Sequence, residues 1–595
     1  MTAAPGSPSI RVLDTLTVNQ IAAGEVVERP SSVVKELAEN SLDAGASHIT
    51  VDVESARGEI RRITVMDNGS GMVPADAVLA FHPHATSKIR ALSDLHRSLT
   101  LGFRGEALTS IASVARVELV TRPSGGRAAE AWRVVVEGGE IREQGVAAGP
   151  EGTRVTVEQL FARTPARRKF LKSLATEISH IAGVVESLAL SHPRVAFRLV
   201  HNGTERIRTE GDGDLRAVIA GLYGADLVRV LIPLTLEGAG FGVRGYVSKP
   251  SEHRPHPYQV FLSVNGRPVS SRQMVRAIRD GYGTLLPPHR YPVAFLDLRI
   301  DPAWVDVNVH PSKRQVRLTG ERDLLEAVTG AVAQTLRGKD LMPEAGKGLL
   351  PVGGPARPVA VTVPPPVLPA PTWGDGIPLR VGRQTEQQLR QTELATGIVE
   401  DRVPLPTMEV IGQAGGVYLV ARTPEGGLIL VDQHAAHERV VYEYLRDLHS
   451  GGERSQELLV PLVLHRSPRE AALLREFLPV LARQGLVVEE FGRDTFAVKA
   501  VPVVLGRTGD DSVIHEVLGD LLCQQEDPSV TMEERVIRII ACRSAVKAGA
   551  AVTLEQSQRL VRQLARARNP YTCPHGRPTM VALTRAQLDG MFRRV

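Results

Sequence analysis

Three cysteines, Cys523, Cys542 and Cys573, are all that this chain of 595 residues carries. A disulfide framework is thereby excluded, and the usage fits a reducing cytosol. Long apolar runs are missing as well. No uninterrupted stretch approaches the roughly 18 residues of a membrane span, and Met1 to Pro8 lack the apolar core of a secretory signal. The expected location is cytoplasmic. No Gly-x-x-x-x-Gly-Lys-Ser/Thr run occurs, so a Walker-type phosphate loop is excluded. Charge of either sign is not in large excess: a net +5 and a pI of 9.1 permit nucleic-acid binding without demanding it. The hydrophobic share of 43% and charged share of 23% are ordinary globular values. The length suits about four folding units.

What is present centres on residues 20–45. Pro30, Ser31 and Ser32 make a helix start, Val33, Val34, Leu37 and Leu42 an apolar face, and Gly45 a stop. Glu36 and Asn40 stand four residues apart and share one face of that helix. A carboxylate beside an amide oxygen suits a water and a magnesium ion, which prefers hard oxygen ligands. Alone, such a pair is more often a solvated helix face. The company it keeps decides otherwise. A strand ending at Asp67 runs into Asn68-Gly69-Ser70-Gly71, where an acid can take the adenine amino group and the glycines bring the backbone close to a nucleotide. Thr86-Ser87-Lys88 and Gly102-Phe103-Arg104-Gly105-Glu106-Ala107-Leu108 follow and bracket a candidate lid. The second precedes an apolar helix whose first N–H groups suit phosphate. Gly152-Thr153 opens a strand and offers a hydroxyl near the base.

These ordered motifs resemble the nucleotide-binding fold shared by DNA gyrase B, Hsp90, sensor histidine kinases and MutL. The resemblance to the MutL family of DNA mismatch repair proteins is much the closest, and covers the chain outside one linker. It implies an α/β (α+β) architecture: a GHKL-type ATPase domain over 1–222, a ribosomal-protein-like transducer domain over 223–338, a disordered linker over 339–405, and a dimerisation and metal-binding endonuclease domain over 406–595.

Several elements of the chain can be placed on that frame. Val260 to Gly266 and Tyr291 to Leu298 read as strands flanking a helix from Ser271 to Gly281, and the two strands can lie parallel. Arg272, Arg276 and Arg279 fall on one helix face. With Arg267 they are candidate contacts to a DNA backbone, although a solvated face fits almost as well. The cluster from Phe161 to Lys172 divides evenly between phosphate contact and a solvated helix start. By the resemblance, Lys313 reaches the ATP γ-phosphate. Residues 340–405, with Pro351 to Pro358 and Pro364 to Pro369, have no apolar period.

After three short strands comes Asp432-Gln433-His434-Ala435-Ala436-His437-Glu438, with Glu443 five residues on; His434 and Glu438 share a helix face at metal-ligand spacing. Asp432 stands at the mouth of that helix, and Cys573 and His575 make a compact N/S pair. Asp432, His434, Glu438, Cys573 and His575 together form a set for Zn²⁺ or Mn²⁺. For Cys542 a ligand and a small buried residue are equally good readings. The same motifs match the endonuclease signature of the nicking branch of the family, which implies catalytic roles for Asp432 and Glu438. Gln456 to Pro461 resembles a sliding-clamp motif; a buried strand fits equally well.

The resemblance as a whole implies a homodimer driven by ATP and Mg²⁺, with Glu36 activating water. It couples a MutS-type mismatch recognition protein to strand incision on double-stranded DNA, without a membrane, and is nucleoid-associated when acting. The alternatives are a matchmaker without nuclease activity and a type II topoisomerase ATPase subunit. The topoisomerase would need an acidic metal domain near the linker, which is not seen. A sensor kinase would need a phospho-acceptor helix, for which only some 15 residues precede the first motif.

Overall fold

A computed structural model describes residues 27–83, 85–86, 106–125, 130–287, 290–306, 317–318, 320–337, 405–447, 455–505, 511–523, 530–545 and 552–592. Ser87, Lys88, Gly102, Phe103, Arg104, Gly105 and Lys313 lie outside the described residues, as does the expected linker up to 404. The chain divides into two compact units. One comprises Met1–Pro343 with His465–Glu476 and Gly492–Thr495; the other comprises Glu344–Leu464, Phe477–Phe491 and Phe496–Val595.

In the first unit, helix α1 spans Pro30–Asp43. Pro30 occupies the first turn, where its missing N–H costs nothing. Val33, Val34, Leu37 and Ala38 are buried on the inner face. The helix ends where the Gly45 N–H bonds to Leu42 O and the backbone of Gly45 turns left-handed at φ 73°. The strands are β1 His48–Ala56, β2 Glu59–Asp67, β3 Arg116–Arg122, β4 Ala131–Glu137, β5 Glu140–Ala147, β6 Gly152–Glu158, β7 Ala196–His201 and β8 Thr204–Arg208. They form one sheet in the order β5-β4-β3-β6-β2-β1-β7-β8. In β1 the buried residues Ile49, Val51 and Val53 alternate with more exposed ones, as expected for a strand with one face on a core.

Among the helices that pack on this unit's core are α2 over Ala107–Val114 and α3 over Leu174–Ser191. Val33, Val34 and Leu37 of α1 share that core with Ile49, Val51, Ile63, Val65, Ile111, Ile181, Val185 and Leu188. Each such side chain contributes roughly 1.5–3 kcal/mol on burial. The polar face of α1 is thus fixed in direction by what its apolar face does.

A second sheet of the same unit holds β9 Leu231–Gly238, β10 Phe241–Ser248, β11 Val260–Val264, β12 Arg267–Val269 and β13 Ala294–Ile300, in the order β12-β11-β13-β10-β9. Strands β11 and β13 are parallel, as the sequence suggests, with Leu262 opposite Leu296. Between them runs helix α4, Arg272–Tyr282, capped by Ser271 Oγ accepting from the Met274 N–H. Val293 and Phe295 leave this sheet's own core and join the core beneath α1.

In the second unit, β14 Glu409–Ala414, β15 Tyr418–Arg422, β16 Leu428–Asp432 and β20 Met580–Leu583 form one sheet, in the order β14-β15-β16-β20. Helix α5, Gln433–Asp447, starts at the residue after β16. Helices α6 Met532–Ser544 and α7 Leu554–Leu564 follow later in the chain. Leu419, Ala421, Ile429 and Val431 pack with Ala436 and with Leu560, Val561 and Leu564. A smaller sheet is made by β17 Ser455–His465, β18 Val487–Gly492 and β19 Thr495–Pro502. Gln456 to Pro461 lies on β17, but not as a buried strand: Leu459 is fully exposed and Val460 is 73% exposed. No described helix is long and apolar enough to cross a membrane.

Candidate functional site

The first group forms where α1 meets the end of β2. Register places Asp67 opposite Ile49 on one side and Thr153 on the other. The Asp67 carboxylate gathers three neighbours: Ser41 Oγ–H donates to Oδ2 at 2.7 Å, the Gly69 N–H to Oδ1 at 2.9 Å, and the Thr153 N–H to Oδ1 at 3.3 Å. A carboxylate has about four lone-pair sites, so capacity remains for a further donor. Around it Thr121 Oγ1 lies 3.0 Å from Thr153 Oγ1 and accepts from the Met72 N–H at 3.0 Å.

Ser41 and Thr121 were not singled out from the sequence. A signal for Ser41 existed: it is a polar residue on the buried side of an amphipathic helix, and a buried hydroxyl needs a partner. Thr121 left only the weaker trace of a hydroxyl amid the apolar run of β3.

The glycines also answer a demand of the fold itself. A Cβ on Gly71, at φ 64°, would stand 2.0 Å from Arg122 O. One on Gly69 would meet Ala44 Cβ at 2.9 Å, and one on Gly152 would stand 2.1 Å from Asp67 O. Backbone atoms at Gly71 and Gly152, and the Ala44 methyl at Gly69, therefore already leave no room for a side chain. Asn68 faces away from Asp67's partners, its Oδ1 accepting from the N–H groups of Ser47 and His48 at 2.9 and 2.8 Å.

Glu36 and Asn40 lie on the same helix as Ser41, each half-buried. Lys35 Nζ sits 3.3 Å from Glu36 Oε1 and 3.1 Å from Glu39 Oε1. Burial alone would lower the Lys35 pKa; the two carboxylates outweigh it and raise it. Of the lid motifs, Thr86, Glu106, Ala107 and Leu108 are described. Glu106 is the N-cap residue of α2 and places no side chain on the helix's first N–H groups, while Ala107 and Leu108 open the helix.

Arg272, Arg276 and Arg279 do share the outer face of α4. Arg276 lies 3.6 Å from Asp280, and Arg279 rests over the Tyr291 ring at 5.8 Å. Arg267 does not join them. It is 8% exposed on the short strand of the β11–β12 hairpin, and that burial, which lowers its pKa against the pull of the Glu39, Asp43 and Glu36 charges, removes it from any exposed basic face.

The second group is in the other unit. Glu438, fully buried on α5, Cys573 and His575 bring one ligand atom each within 4.8 Å of one another. His575 Nδ1 lies 2.7 Å and Arg577 Nη2 3.4 Å from the two Glu438 oxygens. Burial alone would raise the Glu438 pKa, but the close approach of His575 first, then of Cys573 and Cys542, outweighs it and holds it at about 2. Cys542, on α6, thus stands at this carboxylate rather than in a separate core. Burial first, then the Glu438 charge, pushes its thiol up to about 11.

Asp432 and His434 are not among the three that converge. Asp432 Oδ1 accepts from the N–H groups of His434 and Ala435 at 2.9 and 3.0 Å and caps α5. Glu443 instead fastens the loop before Cys573, accepting from the Arg568 and Asn569 N–H groups at 2.6 and 3.2 Å. A buried carboxylate, a thiol and an imidazole are a donor set that suits Zn²⁺. Glu438 Oε1 makes no well-directed hydrogen bond despite the nearby ring, the situation a cation relieves.

A carboxylate at the end of a central strand, flanked by a half-buried Glu/Asn helix and reached without a Walker loop, defines an ATPase domain of the histidine kinase, gyrase B and HSP90 kind. Residues 28–144 match that family, described as "Histidine kinase-, DNA gyrase B-, and HSP90-like ATPase". Residues 219–337 match "DNA mismatch repair protein, C-terminal domain", and residues 411–552 match "MutL C terminal dimerisation domain". The DNA mismatch repair protein MutL of Methanoculleus marisnigri is 54% identical over 98% of this chain and 99% of its own length. That of Methanocorpusculum labreanum is 44% identical over 98% and 99%, and that of Geobacillus kaustophilus 39% over 98% and 99%. Among solved structures, the Aquifex aeolicus MutL ATPase domain complexed with ADP is 28% identical, covering 47% of this chain and 94% of that one, with a TM-score of 0.36. The chain belongs to the MutL family of DNA mismatch repair proteins.

Proposed function

We propose that this protein is a homodimeric, ATP-driven coordinator that couples mismatch recognition by a MutS-type protein to incision of double-stranded DNA. The observation that carries the reading is the 2.7 Å bond from Ser41 to Asp67, which fastens the helix bearing Glu36 and Asn40 to the strand end that would receive adenine. Asp67 accepts from the base amino group, and the Thr153 hydroxyl lies alongside. Glu36 orients and deprotonates the attacking water, a role for a carboxylate close to the γ-phosphate. Asn40 would hold Mg²⁺ through its amide oxygen. The ion supplies charge neutralisation for the phosphates when bound. Thr86, Ser87, Lys88 and the stretch from Gly102 to Leu108 close over the nucleotide, with the α2 N–H groups on phosphate. Lys313 reads the γ-phosphate.

In the second unit, Glu438, Cys573 and His575 would hold Zn²⁺ or Mn²⁺, with Asp432 and His434 completing the set. The ion would polarise a scissile phosphate for latent nicking. Arg272, Arg276 and Arg279 contact the DNA backbone, and the exposed Gln456 to Pro461 strand is the contact to a sliding clamp. The protein acts on DNA in the cytoplasm, at the nucleoid. A second reading, a matchmaker without nuclease activity, is favoured by the absence of Asp432 and His434 from the converging trio. Glu36→Ala separates binding from turnover. ATP should still bind, measured with a non-hydrolysable analogue, while steady-state hydrolysis is lost. Turnover at the wild-type rate removes Glu36 from the role.

A further inference from the structure

Helix α1 turns by about 100° per residue, so Glu39 lies about 40° round the axis from Lys35, and Glu36 about 100° round in the same sense. Residues three and four apart on a helix are neighbours, whereas adjacent ones do not face each other. A short side chain at position 35 would therefore meet the residue at 39 and miss the one at 36. Lys35 meets both. Its Nζ lies 3.1 Å from Glu39 Oε1 and donates to Glu36 Oε1 at 3.3 Å. The flexible four-carbon stem brings the ammonium between the two carboxylates.

The three side chains are unequally free to move. Glu39 is 3% exposed and follows Leu37 and Ala38, which are in the core. A carboxylate buried this deeply needs a cation beside it, and Lys35 supplies one. The Lys35 and Glu36 side chains are 20% and 17% exposed, so water and salt screen their contact less than they would on the open surface. Glu36 and Glu39 stand three residues apart and repel each other; the ammonium between them offsets that repulsion. Burial, the largest single effect on Lys35, lowers its pKa, but Glu39 and then Glu36 together carry it above the ordinary lysine value, and the side chain is charged at neutral pH. An ammonium has three donors, so serving Glu39 does not prevent it from holding Glu36.

We propose that Lys35 is a positioning residue for ATP hydrolysis: anchored by the buried Glu39, its ammonium holds Oε1 of Glu36 and so sets the direction in which that carboxylate meets the attacking water. With Oε1 tied to Nζ, rotation of the Glu36 side chain is curtailed before any nucleotide arrives. The proposal rests on the reading of Glu36 as the water-activating group. If Lys35 served only to neutralise Glu39, removing both of those charges together would restore turnover.

The test uses the full-length protein, read as kcat for ATP and as Kd for a non-hydrolysable ATP analogue. Lys35→Met should lower kcat at least about tenfold, since a misplacement of ~1 Å costs on the order of 100-fold, while Kd changes less than about threefold. Lys35→Met with Glu39→Gln removes one charge of each sign and should keep the low kcat. In a Glu36→Asp background, where the carboxylate is one methylene shorter, Lys35→Met should cost less than about threefold further. Wild-type kcat in Lys35→Met overturns the proposal. So do a Kd that weakens in step with kcat, recovery of wild-type kcat in the double variant, and full additivity with Glu36→Asp. If Lys35→Met does not fold alone, the double variant is compared with Glu39→Gln, and equal kcat in the two overturns the proposal. An inactive Glu36→Ala beside a fully active Lys35→Met sinks this inference alone. A fully active Glu36→Ala sinks the reading beneath it.

Discussion

Asp67→Asn separates the fold of the nucleotide site from its choice of base. In the wild-type site Ser41 Oγ lies 2.7 Å from Asp67 Oδ2 and 3.1 Å from Leu37 O, so its single proton has two acceptors. Oδ1 is occupied by the Gly69 and Thr153 N–H groups and must stay an oxygen. An asparagine will therefore place its NH₂ at the Oδ2 position. The Ser41 hydroxyl then accepts from that NH₂ and gives its own proton to Leu37 O. Every hydrogen bond is kept, and stability should change by less than ~1 kcal/mol. Adenine fares otherwise, because its amino group meets a donor where a charged acceptor stood. A lost charge-assisted hydrogen bond is worth about 1.5–3 kcal/mol, or roughly 10- to 150-fold in Kd. Guanine carries a carbonyl oxygen at that position and accepts from the new NH₂. Equilibrium titration with non-hydrolysable ATP and GTP analogues should show ATP affinity falling by that factor and the preference over GTP shrinking or inverting. An ATP affinity within threefold of wild type, in a protein with an unchanged thermal midpoint, would refute Asp67 as the base-reading group.

Gly71→Ala and Gly58→Ala both force alanine into left-handed backbone, at a cost of about 1–2 kcal/mol each. Only the first also drives a Cβ to 2.0 Å from Arg122 O, while Gly58 faces open space. The amino-terminal unfolding transition should therefore fall clearly further for Gly71→Ala, and equal shifts would mean that the end of β3 relaxes freely. Cys573→Ser should weaken Zn²⁺ binding in equilibrium dialysis, by at least the ~10- to 100-fold expected for loss of a supporting group; undiminished binding would place the ion elsewhere. Asp432→Asn should abolish Mn²⁺-dependent nicking of supercoiled DNA and spare ATP hydrolysis; undiminished nicking would place that chemistry elsewhere.

The parts of the fold most legible in the sequence were those with local signals. Pro30 and Gly45 bound α1 because each acts on the backbone within a residue or two of itself, and the alternation of β1 is visible without knowing its partner. The parallel pairing of β11 with β13 followed from a strand–helix–strand spacing. What stayed hidden depends on distant partners. Ser41 meets Asp67 across 26 residues of sequence. Cys542 reaches Glu438 only because α6 packs beside α5. Arg267 looked like one more surface arginine because β12 has only three residues, Arg-Pro-Val, too few to reveal which way its side chains face.

Asp432 is the instructive case, since two demands meet on one carboxylate. Its Oδ1 is committed to the first N–H groups of α5, and the helix it caps carries the buried Glu438. Losing the cap would cost about 1 kcal/mol and loosen that helix start, so an alanine variant confounds capping with chemistry. Asparagine caps as well as aspartate but brings no negative charge. A nicking defect in Asp432→Asn with an unchanged thermal midpoint therefore assigns the charge, and not the cap, to the reaction. A defect confined to Asp432→Ala would assign the residue to the helix start, leaving Glu438, Cys573 and His575 as a site that does not depend on it.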